Sequence, residues 1–364
     1  MHKTSAWPLA LTYLGLVVYA SLYPFVDWRY QGIVPWAFLS SPWPKYWTGF
    51  DVVSNVLGYV PVGFLLTLSA LRTGRARHAV GLATWVAAVL SFAMESLQSY
   101  LPERVPSNVD FGLNVLGAWV GAALAWAMEK WGIIDRWSVF RARWFVVDAR
   151  GGLVLLALWP FALLFPAAVP FGLGQVLARL EAALAGVLQA TPFLDWLPVR
   201  DIELQPLVPG AELLCVMLGL LIPCLLGFCI ISSAARRTKF LLTLFAVGMG
   251  VTALSAALSY GPQYAWVWFR WPVKAGLASA TLLALLLLSA PRRANAALML
   301  LALGIYLSLL NQAPTSPYFA HTLASWEQGR FIRFHGLAQW LGWLWPYAAL
   351  MFVLTRVWGR ESKN

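Results

Sequence analysis

The sequence predicts an all-α fold, a polytopic transmembrane helical bundle of about ten spans. Three observations carry this. Of the 364 residues, 60% are hydrophobic and only 11% are charged, whereas soluble domains run near a quarter charged. Mean hydropathy is +0.69. The apolar residues also fall in continuous runs of about 20, the length that crosses a bilayer as a helix. They do not form the alternating decamers of a membrane β-barrel. Together these features exclude a disordered chain, a disulfide scaffold and an ordinary cytosolic enzyme.

The expected spans are 8–24, 51–70, 79–98, 109–129, 151–168, 211–232, 239–259, 271–289, 294–310 and 337–357. The opening run has no small-x-small cleavage site before Tyr23 and Pro24, so it reads as a retained first helix rather than a signal peptide. Five basic clusters recur on one side of this alternation, from Arg72/Arg75/Arg77 to Arg356/Arg360/Lys363. With the N-terminus inside, Lys and Arg divide 17 inside to 9 outside, and Asp and Glu 4 to 11. That asymmetry predicts an N-in, C-in topology. It also accounts for the net charge of +11 without a nucleic-acid partner. Within the long outer segment, 172–190 carries an apolar face through Val176, Leu177, Leu180, Leu184, Val187 and Leu188. It reads as an amphipathic helix on the outer surface. Many of the 21 tryptophans sit at span ends, as in an interfacial aromatic belt.

Polar groups inside spans are expensive and mark candidate sites. The richest set lies in spans two to four. Asn55 opens span two. Glu95 and Gln98, three apart, share a face at the end of span three. A tight turn carries Arg104 and Ser107, and Asp110 and Asn114, four apart, share a face at the start of span four. The topology brings all of them to one depth in the outer half of the bilayer. Glu95 and Asp110 are the candidate catalytic acid and base. Arg104 suits a phosphate or carboxylate. Asn55, Gln98, Ser107 and Asn114 are candidate substrate contacts. Each also has a structural alternative: Ser107 and Asp110 as helix caps, Arg104 as the partner of an acid. Gly117 and Gly121 form a GxxxG that admits a close neighbouring helix.

The stretches NVLGYVPVGFLL and ESLQSYLPERVPSNVDFGLNVLGAWVGA resemble the VanZ-like family of membrane proteins. The resemblance rests on Asn55, Pro61, Gly63, Glu95, Gln98, Arg104, Asp110, Asn114, Gly117 and Gly121, in order and spacing, over about residues 10–130. It implies a membrane fold and an envelope context, with founding members linked to low-level resistance to the glycopeptide teicoplanin. It does not imply a reaction. The expected domains are 1–150, VanZ-like with four spans, and 151–364 with six.

The second domain contains a candidate parallel repeat of the first. At a shift of 160 residues both copies share SY-x-P at the outer end of a span. Arg270 then falls opposite Asp110 and Lys274 opposite Asn114, which makes this pair a candidate for an anionic head group; snorkelling to the interface is the alternative. The outer loop 311–336 mixes His321, His335, Arg330 and aromatics. It reads either as a lid or as a plain connection. No zinc-type spacing, GxSxG, P-loop or dinucleotide fingerprint is present, so no metal or cofactor is expected. Cys215, Cys224 and Cys229 read as reduced packing residues.

Three functions fit these features. The first is recognition or modification of an anionic or glycosylated lipid, or of a lipid-linked envelope precursor, in a bacterial inner membrane. The second is a non-catalytic accessory protein whose polar motif is structural. The third is a transporter or flippase, which the outer position of the acids disfavours.

Overall fold

The computed structural model describes residues 6–22, 25, 27–43, 49–74, 76–102, 104–164, 167–189, 191–196, 205–314 and 329–358. His321 and most of the expected loop 311–336 lie outside these residues. Among the described residues there are twelve α-helices and no strand. They are α1 (Ala6–Leu22), α2 (Gly49–Arg72), α3 (Ala79–Gln98), α4 (Asn108–Lys130), α5 (Ile133–Trp144), α6 (Arg150–Leu163), α7 (Leu177–Leu188), α8 (Pro209–Ile230), α9 (Ala234–Tyr260), α10 (Trp271–Leu286), α11 (Arg292–Leu310) and α12 (Gly329–Trp358). Six of them, α2, α3, α4, α8, α9 and α11, are long and apolar enough to cross a membrane. The apolar helices α1, α6 and α10 have 17, 14 and 16 residues. At 1.5 Å per residue they reach roughly 20–25 Å, short of a ~30 Å hydrocarbon core. The tenth expected span lies within α12.

The chain divides into two compact units, 1–140 and 141–364. In the first, α2 packs most closely on α4, and α3 and α1 pack against this pair. Small and apolar residues form its core, among them Ala10, Tyr59, Val62, Leu66, Ala83, Ala87, Ala118 and Ala122. Both long loop-entering ends use glycine. Gly74 (φ +84°) follows α2 and Gly132 (φ +66°) follows α4, the left-handed position that ends a helix without a Cβ clash. The Gly132 N–H reaches the Glu129 carbonyl at 3.0 Å. The short helix α5 crosses the division between units; the expected spans leave 130–150 as a segment between two of them.

In the second unit α8 is the central helix. Every residue from Leu218 to Ile230 is buried, as its apolar character on all sides requires. It packs against α6, α9, α10 and α11. Cys215, Cys224 and Cys229, all on α8, are free and buried.

The expected helix over 172–190 is corrected at its start: only Leu177–Leu188 is helical. Residues 171–174 are a buried, irregular segment. Its backbone is satisfied by side chains instead of by a helix. The Tyr306 hydroxyl donates to the Phe171 carbonyl at 2.7 Å and accepts the Leu173 N–H. Asn311 donates to the Gly174 carbonyl at 3.2 Å and accepts the Leu177 N–H at 3.1 Å. The Gly174 N–H reaches the Gly342 carbonyl at 2.7 Å. Irregular backbone is stable in a nonpolar setting only when it is covered and paired in this way. Leu180, Leu184 and Val187 of α7 are exposed.

A second buried polar group ends α10. Arg237 is 5% exposed and donates to the carbonyls of Leu288 and Ala290, both at 2.8 Å. These are carbonyls past the last turn of α10, where a cation also meets the negative end of the helix dipole.

Candidate functional site

The site begins with a close helix contact. A Cβ added at Gly117 would fall 2.2 Å from the Val56 carbonyl oxygen, and one at Gly121 1.9 Å from that of Val60. One at Gly63 would fall 1.8 Å from the carbonyl oxygen of Ala118. The GxxxG of α4 and the glycine of α2 therefore set the two backbones against each other, as small residues do in membrane helix pairs. Asp110 and Asn114 extend the same face of α4 towards its N-terminus.

At that end α4 is capped from two helices. Ser107 has extended backbone, and its hydroxyl accepts the N–H groups of Val109 at 3.2 Å and Asp110 at 3.3 Å. The N–H of Ser107 itself is taken by Glu95 Oε2 of α3 at 2.9 Å. In an ordinary capping box the acidic residue three positions after the cap fills that role. Here that residue is Asp110, and its Oδ1 accepts the amide of Asn55 on α2 at 2.6 Å instead. One cap thus joins α2, α3 and α4. One turn deeper, the Asn114 amide donates to the Ser91 hydroxyl of α3 at 3.0 Å.

The remaining expected residues turn to α1. Gln98 donates to the Ser21 carbonyl at 2.9 Å, and Arg104 approaches the Ala20 carbonyl at 3.5 Å. Both are last-turn carbonyls, which have no partner inside their helix. A roof lies over the α3–α4 turn. Phe38 is 3% exposed and packs on Phe92 and Phe111 at 5.8 and 6.2 Å between ring centroids. Asn108 donates to the Ser41 carbonyl at 2.7 Å, and Gln31 to that of Ser99 at 2.8 Å. Under this roof Glu95 and Asn114 are buried, while Asn55, Gln98, Arg104, Ser107 and Asp110 are half-buried.

Seven of the nine expected site residues thus lie in one unit, and four of them, Asn55, Glu95, Ser107 and Asp110, share direct contacts or a common cap, while Asn114 bonds to Ser91 one turn deeper. Arg270 and Lys274 belong to the second unit, at the exposed start of α10. The Lys274 amino group sits 5.1 Å from the Phe269 ring centroid.

Two members of the cluster were missed in the sequence. Ser91 is the partner of Asn114. Tyr59 is buried beside Ser91 and Glu95. Both sit one helical turn from an expected residue, Ser91 before Glu95 and Tyr59 after Asn55, so continuing the i, i+4 rows would have found them. Among the described residues Asn114 Oδ1 has no hydrogen-bond partner, and the Tyr59 hydroxyl faces the Ser91 side chain. Chemically the cluster offers two carboxylates, a guanidinium, amides and a phenol. Among the described residues no group of three His, Cys, Asp or Glu side chains is placed to hold a metal.

A model of the VanZ/LLP1 family matches residues 7–129. The N-terminal third of the chain therefore carries a VanZ-like domain. No curated protein and no solved structure matches the chain.

Proposed function

We propose that this multi-pass membrane protein uses its VanZ-like domain to recognise the polar head of an anionic or glycosylated lipid, or of a lipid-linked precursor, in the bacterial cytoplasmic membrane. The observation that carries the reading is the unpartnered buried Asn114 Oδ1, one turn below the Glu95–Ser107 and Asn55–Asp110 contacts, with the Tyr59 phenol close to the same Ser91. A buried polar atom without a partner costs about 1–3 kcal/mol and asks for an explanation. A hydroxyl-bearing head group supplies one, since a sugar or glycerol hydroxyl can donate to the amide oxygen and accept from the phenol. Arg104 would hold the phosphate. Asp110 and Glu95 are the groups able to move a proton if chemistry follows binding. The test is identification of lipids retained by the gently purified chain, compared with Arg104→Ala and Asp110→Asn. Low-level glycopeptide resistance is the phenotype to score beside it.

A second reading is favoured by a different observation. Glu95 to Ser107, Asn55 to Asp110 and Asn114 to Ser91 together tie three helices. On that reading the network is a scaffold, a water fills the gap between Tyr59 and Asn114, and the protein is a non-catalytic accessory.

A further inference from the structure

The opposite end of the first unit carries a second feature. Along α3, Gly81 stands 14 residues before Glu95, or roughly 21 Å away at the helical rise. There an open groove of about 490 Å³ lies between α3 and α4, lined by Arg77, His78, Gly81, Leu82, Trp85 and Trp126. His78, Gly81, Leu82 and Trp85 follow the i, i+3, i+4, i+7 row of one helical face. Gly81 forms an open floor, because a Cβ added there meets nothing within 4 Å. Trp85 and Trp126 wall it and are 66% and 45% exposed. The rim is cationic. Lys130 rests over the ring of Trp126, a groove wall, at 5.1 Å, and Arg77 lines the groove itself. Nearby acids do not neutralise these charges: Glu129 and Asp135 both approach Arg72, at 4.0 and 3.9 Å. Among the described residues neither Arg77 nor Lys130 has a carboxylate partner.

We infer that this groove is a binding site for an anionic phospholipid, distinct from the polar cluster at the other end of the unit. The phosphate lies between Arg77 and Lys130. One acyl chain runs over Gly81 between the indoles of Trp85 and Trp126. Three features select this occupant over a generic aromatic belt: cations without carboxylate partners at the groove, a glycine floor, and two indoles flanking that floor. A belt needs none of these to share a concave surface. The charge complementarity selects an anionic head over a zwitterionic one, since each Lys or Arg near a membrane surface favours anionic lipid by about fivefold.

The experiment is a native mass-spectrometric titration of the full chain in detergent with dimyristoyl phosphatidylglycerol or phosphatidylcholine. Wild type is expected to hold phosphatidylglycerol at least about fivefold more tightly. Arg77→Ala and Lys130→Ala should each remove about fivefold of that preference, and both are exposed changes that leave the fold intact. Gly81→Leu should fill the floor and weaken both lipids while keeping helix propensity. Lys239→Ala, an exposed cation of α9 outside both sites, should change nothing, and the Arg77→Ala and Lys130→Ala losses should be the same in an Arg104→Ala background, so failure here is separable from failure of the proposed head-group site. A preference that survives the Arg77→Ala/Lys130→Ala double variant would overturn the inference. So would unchanged retention in Gly81→Leu, or an equal loss of the preference in Lys239→Ala.

Discussion

Glu95 on α3 closes the N-terminal cap of α4 by accepting the backbone N–H of Ser107 at 2.9 Å. This division of labour frees Asp110, the residue that would normally complete the cap, to meet Asn55 on α2. The most conspicuous acid of the motif is therefore a positioning group for the helix that carries the second acid. Removing the acceptor should leave a half-buried N–H unpaired and cost about 1 kcal/mol, the lower end of the range for a fully buried group. Glu95→Ala should melt at a clearly lower temperature in detergent, and Glu95→Gln, which keeps an acceptor oxygen, should recover most of the loss. Equal melting of wild type and Glu95→Ala would remove the contact from the account.

The α2–α4 contact predicts a sharp difference between glycines. Gly121→Ala places a Cβ 1.9 Å from the Val60 carbonyl oxygen, so the helices must separate. Overpacking of this kind costs about 1–3 kcal/mol. Gly81→Ala meets nothing and should be neutral or stabilising by up to ~1 kcal/mol. Thermal unfolding of the two variants side by side measures the contrast.

In the second unit one hydroxyl pairs two backbone groups of the buried 171–174 segment. Tyr306→Phe leaves the Phe171 carbonyl and the Leu173 N–H without their shared partner. At about 1–3 kcal/mol for each buried group, the expected loss exceeds that of a surface tyrosine. Loss of protection from proteolysis in this segment would report it.

Arg237 offers a test of charge against geometry. Arg237→Ala removes the donor shared by the Leu288 and Ala290 carbonyls, at about 1.5–3 kcal/mol per bond to a charged group. Arg237→Lys keeps the cation but not the planar fork, so its stability should fall between wild type and Arg237→Ala. A lysine variant as stable as wild type would show that charge alone suffices.

Much of the first unit was legible because its signals are spacings. Asp110 and Asn114 four apart, Glu95 and Gln98 three apart, and the GxxxG of Gly117 and Gly121 each fix a helix face, and the structure places these groups on facing helices. Ser91 and Tyr59 were passed over because a serine or tyrosine in an apolar run carries no cost that draws notice. The helix α5 was hidden by its charges. Asp135 in its first turn and Arg141 and Arg143 in its last are the dipole-matching pattern that would have marked it. The irregular start before α7 was not readable at all. The apolar periodicity runs only from Val176 to Leu188, and the backbone before it is held by Tyr306, Asn311 and Gly342, more than 130 residues away in sequence. Long-range partners of that kind leave no local trace.

The central claim is that the cluster of Asn55, Arg104, Asp110 and Asn114 receives a lipid head group. The most direct measurement is native mass spectrometry of the chain purified from its own membrane, with Arg104→Ala and Asp110→Asn compared at matched melting temperature. The account predicts a discrete lipid or lipid-linked sugar on wild type that both variants lose while remaining folded. The same bound species on all three, or no discrete species on wild type together with less stable variants, would contradict it and leave the cluster as a scaffold.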